Sequence, residues 1–286
     1  MNLVFKSAKG EADYLAAYDR SLSLWPVPFE EREVETPFGL AHVISAGEGE
    51  SLVLLHSSLA SSTMWYPNVV ELVSRFRVYA IDSMLEPGKS RPRKLPKKKE
   101  ELVALLEAVL DGLGLERSRL AGASRGAWEA ASLASTRPER VSKLALLSPA
   151  QVFQPIQSMA FLGATLRCAF FPGPKSIRRM ASLVFAAPEK LPGEFLEQYE
   201  LALRYFKASA SLGATPVLFG DEELRSLAMP VLLLVGERDI INDKHAIERG
   251  EALVPDFRGR IVPGAGHVLS MDNPAAVDAS LIDFFA

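Results

Sequence analysis

The chain has 286 residues, 48% hydrophobic and 23% charged, with 32 Lys and Arg against 35 Asp and Glu for a formal net charge of −3. That length permits one large domain or two small ones, and the composition excludes a disordered chain. The near-neutral charge excludes the basic footprint of a dedicated nucleic-acid binder, and the single cysteine, Cys168, excludes an internal disulfide or a cysteine-held zinc.

The first residues, Met1-Asn2-Leu3-Val4-Phe5-Lys6, lack the apolar core and small-residue cleavage site of a signal peptide. Residues from about 10 to 25 predict an amphipathic helix carrying Tyr14, Ala17, Tyr18, Leu22 and Trp25. An antiparallel pair, Glu31 to Glu35 and Leu40 to Ser45, follows. The aliphatic runs Val53-Leu54-Leu55, Val78-Tyr79-Ala80-Ile81, Leu144-Ala145-Leu146-Leu147 and Val231-Leu232-Leu233-Leu234-Val235 show no alternation, the pattern of strands covered on both faces. Even the longest, Val231 to Val235, is far too short to cross a bilayer. Leu102, Leu105, Leu106, Val109, Leu110 and Leu113 form one helical stripe. Asn273-Pro274 reads as an N-cap and first helical position, with Val277, Leu281, Phe284 and Phe285 on the buried face of a last helix.

This alternation predicts an α/β fold with a mostly parallel central sheet flanked by helices. Residues 150–226 interrupt it with helical patterns broken by Pro172, Pro174, Pro188, Pro192 and Pro216. Eight of the 15 phenylalanines lie there, where even spreading would put about four. The expected organisation is therefore a core formed by residues 1–149 and 227–286, with 150–226 inserted as a helical cap with an apolar underside.

Gly122-Ala123-Ser124-Arg125-Gly126 is the only G-x-S-x-G in the chain. An apolar segment precedes it and a helix of small residues follows, so it reads as a strand-to-helix turn that lifts Ser124 above the sheet. The bland alternative is an ordinary turn with an inert serine. A serine hydroxyl needs a base and an orienting acid. Of the four histidines, His42 falls in a strand, His56 ends one, and His245 lies in or near a helix. His267 follows the strand-like Arg260-Ile261-Val262 on the glycine-rich loop Pro263-Gly264-Ala265-Gly266, where its ring can turn into a cleft. The loop after Val235 supplies Asp239 as the acid, with Glu237 and Asp243 as competitors. The chain order serine, acid, histidine is that of α/β-hydrolase triads, with all three at the carboxyl edge of one sheet. The Arg125 N–H and the Ser58 N–H, on the loop His56-Ser57-Ser58-Leu59-Ala60, are the expected oxyanion donors.

Two further patterns carry no such chemistry. Pro87-Gly88-Lys89-Ser90 ends like a phosphate loop, but the required glycine is replaced by Ser83. Arg91, Arg93, Lys94, Lys97, Lys98 and Lys99 read as a solvated loop leading into a helix.

Together with Met64-Trp65-Tyr66-Pro67 and the Asp82-to-Ser90 stretch, these residues make the chain resemble the α/β-hydrolase family over nearly its whole length. Met64-Trp65-Tyr66-Pro67-Asn68 and Gly266-His267-Val268-Leu269-Ser270-Met271 resemble bacterial carboxylesterases of the naproxen-esterase type. The resemblance implies a triad of Ser124, Asp239 and His267, and an oxyanion hole from Ser58 and Arg125. Two positions depart from the family pattern: Ser57 replaces the usual glycine after His56, and Arg125 replaces a modest residue. Arg125 either attracts an anionic substrate group or pairs with a carboxylate such as Glu129 one turn on. Serine at 124 argues against the dehalogenase and epoxide hydrolase branches, which use aspartate there.

The expected activity is hydrolysis of small, apolar carboxylic esters through an acyl-enzyme. The competing readings are a C–C hydrolase, lyase or cofactor-free haloperoxidase on the same triad, and a non-catalytic ligand-binding sensor. A cytoplasmic protein is expected, with no cofactor, no metal, no nucleic-acid partner and no membrane association; the sequence does not specify an oligomeric state.

Overall fold

In the computed structural model, which describes residues 3–210 and 214–286, the unalternating aliphatic runs form strands buried from both sides. The elements in chain order are α1 (Ala8–Leu22), β1 (Glu30–Thr36), β2 (Gly39–Ala46), β3 (Glu50–Leu55), α2 (Val69–Val73), β4 (Phe76–Ile81), β5 (Arg91–Pro92), α3 (Lys99–Gly112), β6 (Ser118–Ala123), α4 (Arg125–Thr136) and β7 (Val141–Leu147). After them come α5 (Met159–Phe170), α6 (Pro174–Val184), α7 (Gly193–Tyr205), α8 (Asp221–Arg225), β8 (Val231–Gly236), α9 (Lys244–Leu253), β9 (Phe257–Val262), α10 (Leu269–Asp272) and α11 (Pro274–Phe285). Met1 and Asn2 of the N-terminal hexapeptide, and Ser211 to Gly213 within the 150–226 stretch, lie outside the described residues.

One sheet runs in the order β1-β2-β4-β3-β6-β7-β8-β9, with β5 beside β2. The β4-β3-β6-β7-β8-β9 block is parallel, and β2 pairs antiparallel with β1, β4 and β5. Side chains of successive strand residues enter opposite cores. Leu52, Leu54, Leu232 and Leu234 pack on one face with α1, α11 and the α6–α7 pair. Val53, Leu55, Leu233 and Val235 pack on the other with α3 and α4. This is the two-sided burial that strands of a parallel sheet require. Because the strands of that block run parallel, the loops after β3, β6, β8 and β9 open along one carboxyl edge.

Three details depart from the expectations. First, α1 stops at Leu22, and Trp25 is buried beyond the helix. Trp25 precedes Pro26, whose ring disfavours helical backbone at the residue before it. Second, the basic stretch is largely exposed and leads into α3 as expected, but Arg91 lies in a two-residue strand against β2 and pairs with Glu33, while Arg93 pairs with Glu35 and Lys94 covers the Phe38 ring. Third, the phenylalanines of 150–226 divide. Phe185 meets Phe195 and Tyr199 edge-on, while Phe195 stacks nearly parallel on Tyr199 and lies tilted against Tyr66, forming an apolar layer. Phe153 and Phe219 belong to the opposite core, and Phe170 and Phe171 face solvent. The Pro87–Ser90 stretch is a structural turn, in which the Ser90 hydroxyl donates to the Asp82 carbonyl at 2.7 Å and the Lys89 N–H donates to the Asp82 carboxylate at 2.9 Å. Among the described residues no helix is long and apolar enough to cross a membrane.

Candidate active site

Ser124 sits between β6 and α4 with φ +51° and ψ −110°, a conformation that costs a non-glycine residue on the order of 1–3 kcal/mol. It is held by backbone hydrogen bonds: its N–H donates to the Leu147 carbonyl at 2.9 Å, and its carbonyl accepts from Ala150 and Trp128. The flanking glycines are required by contact. A Cβ on Gly122 would strike the Gly126 carbonyl, and one on Gly126 would strike the carbonyls of Leu55 and His56. The turn is thus pressed against the loop that follows β3. The Ser124 hydroxyl caps no helix N–H and is left for another partner.

That partner is His267, on the loop after β9. Its Nε2 lies 2.8 Å from the Ser124 Oγ, and its Nδ1 lies 2.8 Å from Asp239 Oδ1. Ser124 and His267 are buried residues, and the Asp239 side chain is fully buried although the residue as a whole is partly exposed. Asp239 Oδ1 also accepts from the Ile241 N–H at 2.9 Å, and Oδ2 accepts from the Asn242 amide at 3.2 Å. Burial alone would raise the Asp239 pKa, but the charge and hydrogen bond of His267 and the Ile241 N–H hold it below its usual range.

The competing carboxylates have other tasks. Glu237 accepts from the Gly264 N–H at 2.8 Å, and with the Glu237 and Arg238 N–H groups it staples the loop after β8 to the one bearing His267. Asp243 caps α9 and bonds Gln154. His42 also meets two carboxylates, Asp82 at 3.1 Å and Glu31 at 2.8 Å, which raise its pKa against the opposing effect of burial. With both ring nitrogens on carboxylates, it has none free to deprotonate a hydroxyl.

Arg125 opens α4, where its N–H has no intrahelical partner. Ser58 is exposed on the loop after β3, and its N–H bonds no described residue. The neighbouring ring of His56 is fixed as one tautomer. Its Nε2 accepts from the Ser83 N–H at 2.9 Å, so Nδ1 carries the proton and donates to the Ser57 carbonyl at 2.9 Å. Ser57 needs no glycine, because the positive φ of this loop falls on Leu59 instead, at +62°. The Ser57 N–H and hydroxyl both turn toward the Met64 sulfur. The Arg125 side chain is buried and committed: its Nε donates to Glu129 at 3.0 Å and its Nη2 to the Ala214 carbonyl at 2.9 Å. This is the carboxylate pairing of the two alternatives. Asn242, which contacts Asp239, and Glu86, which contacts the β3 loop, were not singled out in the sequence: Asn242 falls in no motif, and nothing marks Glu86 within the Asp82-to-Ser90 stretch.

The parallel sheet, the turn at Ser124 and the chain order of the three side chains define a class. The alpha/beta hydrolase fold model matches residues 50–274, and the chain belongs to that family. Its similarity to particular members is high over full length. It is 35% identical to an uncharacterised carboxylesterase, nap, of Bacillus subtilis (strain 168), covering 95% of this chain and 92% of that protein. It is 33% identical to carboxylesterase YbfK of the same organism, covering 99% and 97%. The crystal structure of naproxen esterase (carboxylesterase NP) from Bacillus subtilis superposes with a TM-score of 0.92 at 34% identity, covering 98% of this chain and 100% of that one.

Proposed function

We propose that this protein is a serine hydrolase that cleaves small carboxylic esters, with Ser124 as nucleophile, His267 as general base and then acid, and Asp239 as the group that orients His267. The observation that carries the reading is the continuous hydrogen-bonded line from Ser124 Oγ through His267 to Asp239, 2.8 Å at each step. The carboxylesterase names of the full-length relatives support the choice of bond.

In this mechanism His267 Nε2 takes the hydroxyl proton as Ser124 attacks the ester carbonyl. The Arg125 and Ser58 N–H groups receive the oxyanion. Asp239 keeps the Nδ1 proton in place and stabilises the imidazolium. His267 then gives its proton to the departing alcohol, leaving an acyl group on Ser124. Water, deprotonated by the same ring, releases the acid. The inserted segment 150–226 acts as a cap, and the Phe185, Phe195, Tyr199 and Tyr66 layer favours an apolar acyl or alcohol group. A cytoplasmic site of action is part of the same proposal.

Ser124→Ala tests the reading. Turnover of p-nitrophenyl esters should disappear while circular dichroism stays that of the wild type. Retained turnover in pure Ser124→Ala protein overturns it.

A further inference from the structure

Resting on the hydrolase reading above, we propose that Glu86 is a positioning residue for the oxyanion hole. Its carboxylate holds the Leu59 N–H and so fixes the adjoining Ser58 peptide, while Arg125 ties that carboxylate to the helix that starts at the nucleophile.

Leu59 is a non-glycine residue with φ +62°, half-buried beside the exposed Ser58 on a loop whose other residues are buried. Such backbone persists only where the surroundings enforce it. The enforcing contact is the Glu86 Oε2, which accepts the Leu59 N–H at 2.9 Å. Ser58 is the residue immediately before, so the direction of its N–H depends on the conformation held at Leu59. Besides that contact, the loop is tied by the Ala60 N–H to the Ser57 carbonyl at 3.2 Å and by His56 at its base.

Glu86 side-chain burial reaches 97% (3% exposed), and Oε1 lies 3.6 Å from Arg125 Nε, which also bonds Glu129 at 3.0 Å. A buried carboxylate survives only with a counter-charge and filled hydrogen bonds. Burial raises the Glu86 carboxyl above its usual range, and the Arg125 charge, shared with Glu129, and the Leu59 N–H offset only part of that. The arginine that departs from the family pattern beside Ser124 thus lets a carboxylate sit under the oxyanion loop. Through Ala214 the same guanidinium grips the chain returning from the cap. One cluster therefore joins the two proposed oxyanion donors, Ser58 N–H and Arg125 N–H, across two separate elements.

A role confined to stability lowers the melting temperature and leaves the tetrahedral state no worse bound than the substrate. A positioning role separates the two. Wild type, Glu86→Leu and Glu86→Gln, each checked for folding by circular dichroism, are titrated with an aryl boronic acid, which forms a tetrahedral adduct with a serine hydroxyl, and assayed on p-nitrophenyl butyrate. Glu86→Leu should lose about tenfold or more in both boronate affinity and kcat, with KM within about twofold. Glu86→Gln, whose amide oxygen still accepts from Leu59, should retain most of both. A folded Glu86→Leu with unchanged boronate affinity and kcat overturns the positioning role. Should Glu86→Leu not fold, Glu86→Ser is read by the same criteria: it is too short to reach Leu59 yet admits water to Arg125. A wild type that neither binds boronate nor turns over ester overturns the hydrolase reading, and this role with it.

Discussion

The carboxylate of Asp239 and the ring of His267 meet at 2.8 Å, with their side chains 0% and 4% exposed. In so dry a contact the carboxylate dictates which ring nitrogen carries the proton. Asp239→Asn presents an amide N–H there instead, driving the proton to Nε2, where it faces Ser124. The kcat on p-nitrophenyl esters should fall by about 10⁴-fold, as expected for an inverted tautomer, with little change in KM. A loss below about tenfold in steady-state assays would contradict that role.

Asn242 supports the Asp239 carboxylate from the other side, donating to Oδ2 at 3.2 Å and to the Pro149 carbonyl at 3.1 Å. Asn242→Ala leaves the carboxylate charged but less firmly aimed. The expected result is a fall in kcat of roughly three- to tenfold with unchanged KM, and a stability loss of about 1 kcal/mol for the broken bonds. Urea unfolding alongside kinetics measures both.

The parts of the site written in contiguous residues were legible in the sequence. Gly122 to Gly126 declares its turn because two flanking positions exclude any Cβ, and Gly264 to His267 follows a strand in the same recognisable way. Asp239 was reached through chain order, and its two competitors were separated from it only by geometry. The supporting contacts were not legible, because they join residues far apart in the chain that carry no spacing signal: Glu86 with Leu59, Arg125 with Ala214, Asn68 with Asp278. The helical character of residues 150–226 was legible, but composition did not say which phenylalanines face inward. Phe170 and Phe171 face solvent, whereas Phe185 and Phe195 pack in the apolar layer.

Asp278 should make stability depend on pH. It is buried on α11, where the Asn68 amide reaches its Oδ1 at 2.8 Å. Burial pushes its carboxyl up to about 7 from 3.8; the Asn68 bond opposes this and the nearby Glu71 adds to it. The folded protein therefore holds a proton that the unfolded chain releases between those values. This contribution to stability is full below the unfolded pKa, declines as pH rises from about 4 to 7, and is lost above. Melting curves should show that decline in the wild type and a flatter profile in Asp278→Asn, with the variant the more stable at pH 8. Parallel profiles would refute the assignment.

Gly126→Ala adds a methyl group against the Leu55 and His56 carbonyls. Backbone cannot yield as a flexible side chain can, so the substitution should cost about 1–3 kcal/mol in chemical denaturation. Because those carbonyls lead into the loop of Ser58, the proposed oxyanion donor, ester turnover should fall further than the stability loss alone explains. Full activity at wild-type stability would show the turn to be looser than described.

The most direct measurement is peptide mapping after treatment with a fluorophosphonate, run beside ester turnover. One equivalent of label should appear on Ser124, with a parallel loss of turnover and no labelling once His267 is replaced by Gln. Label on another residue, or none on a wild type that hydrolyses esters, would contradict the proposed role of Ser124.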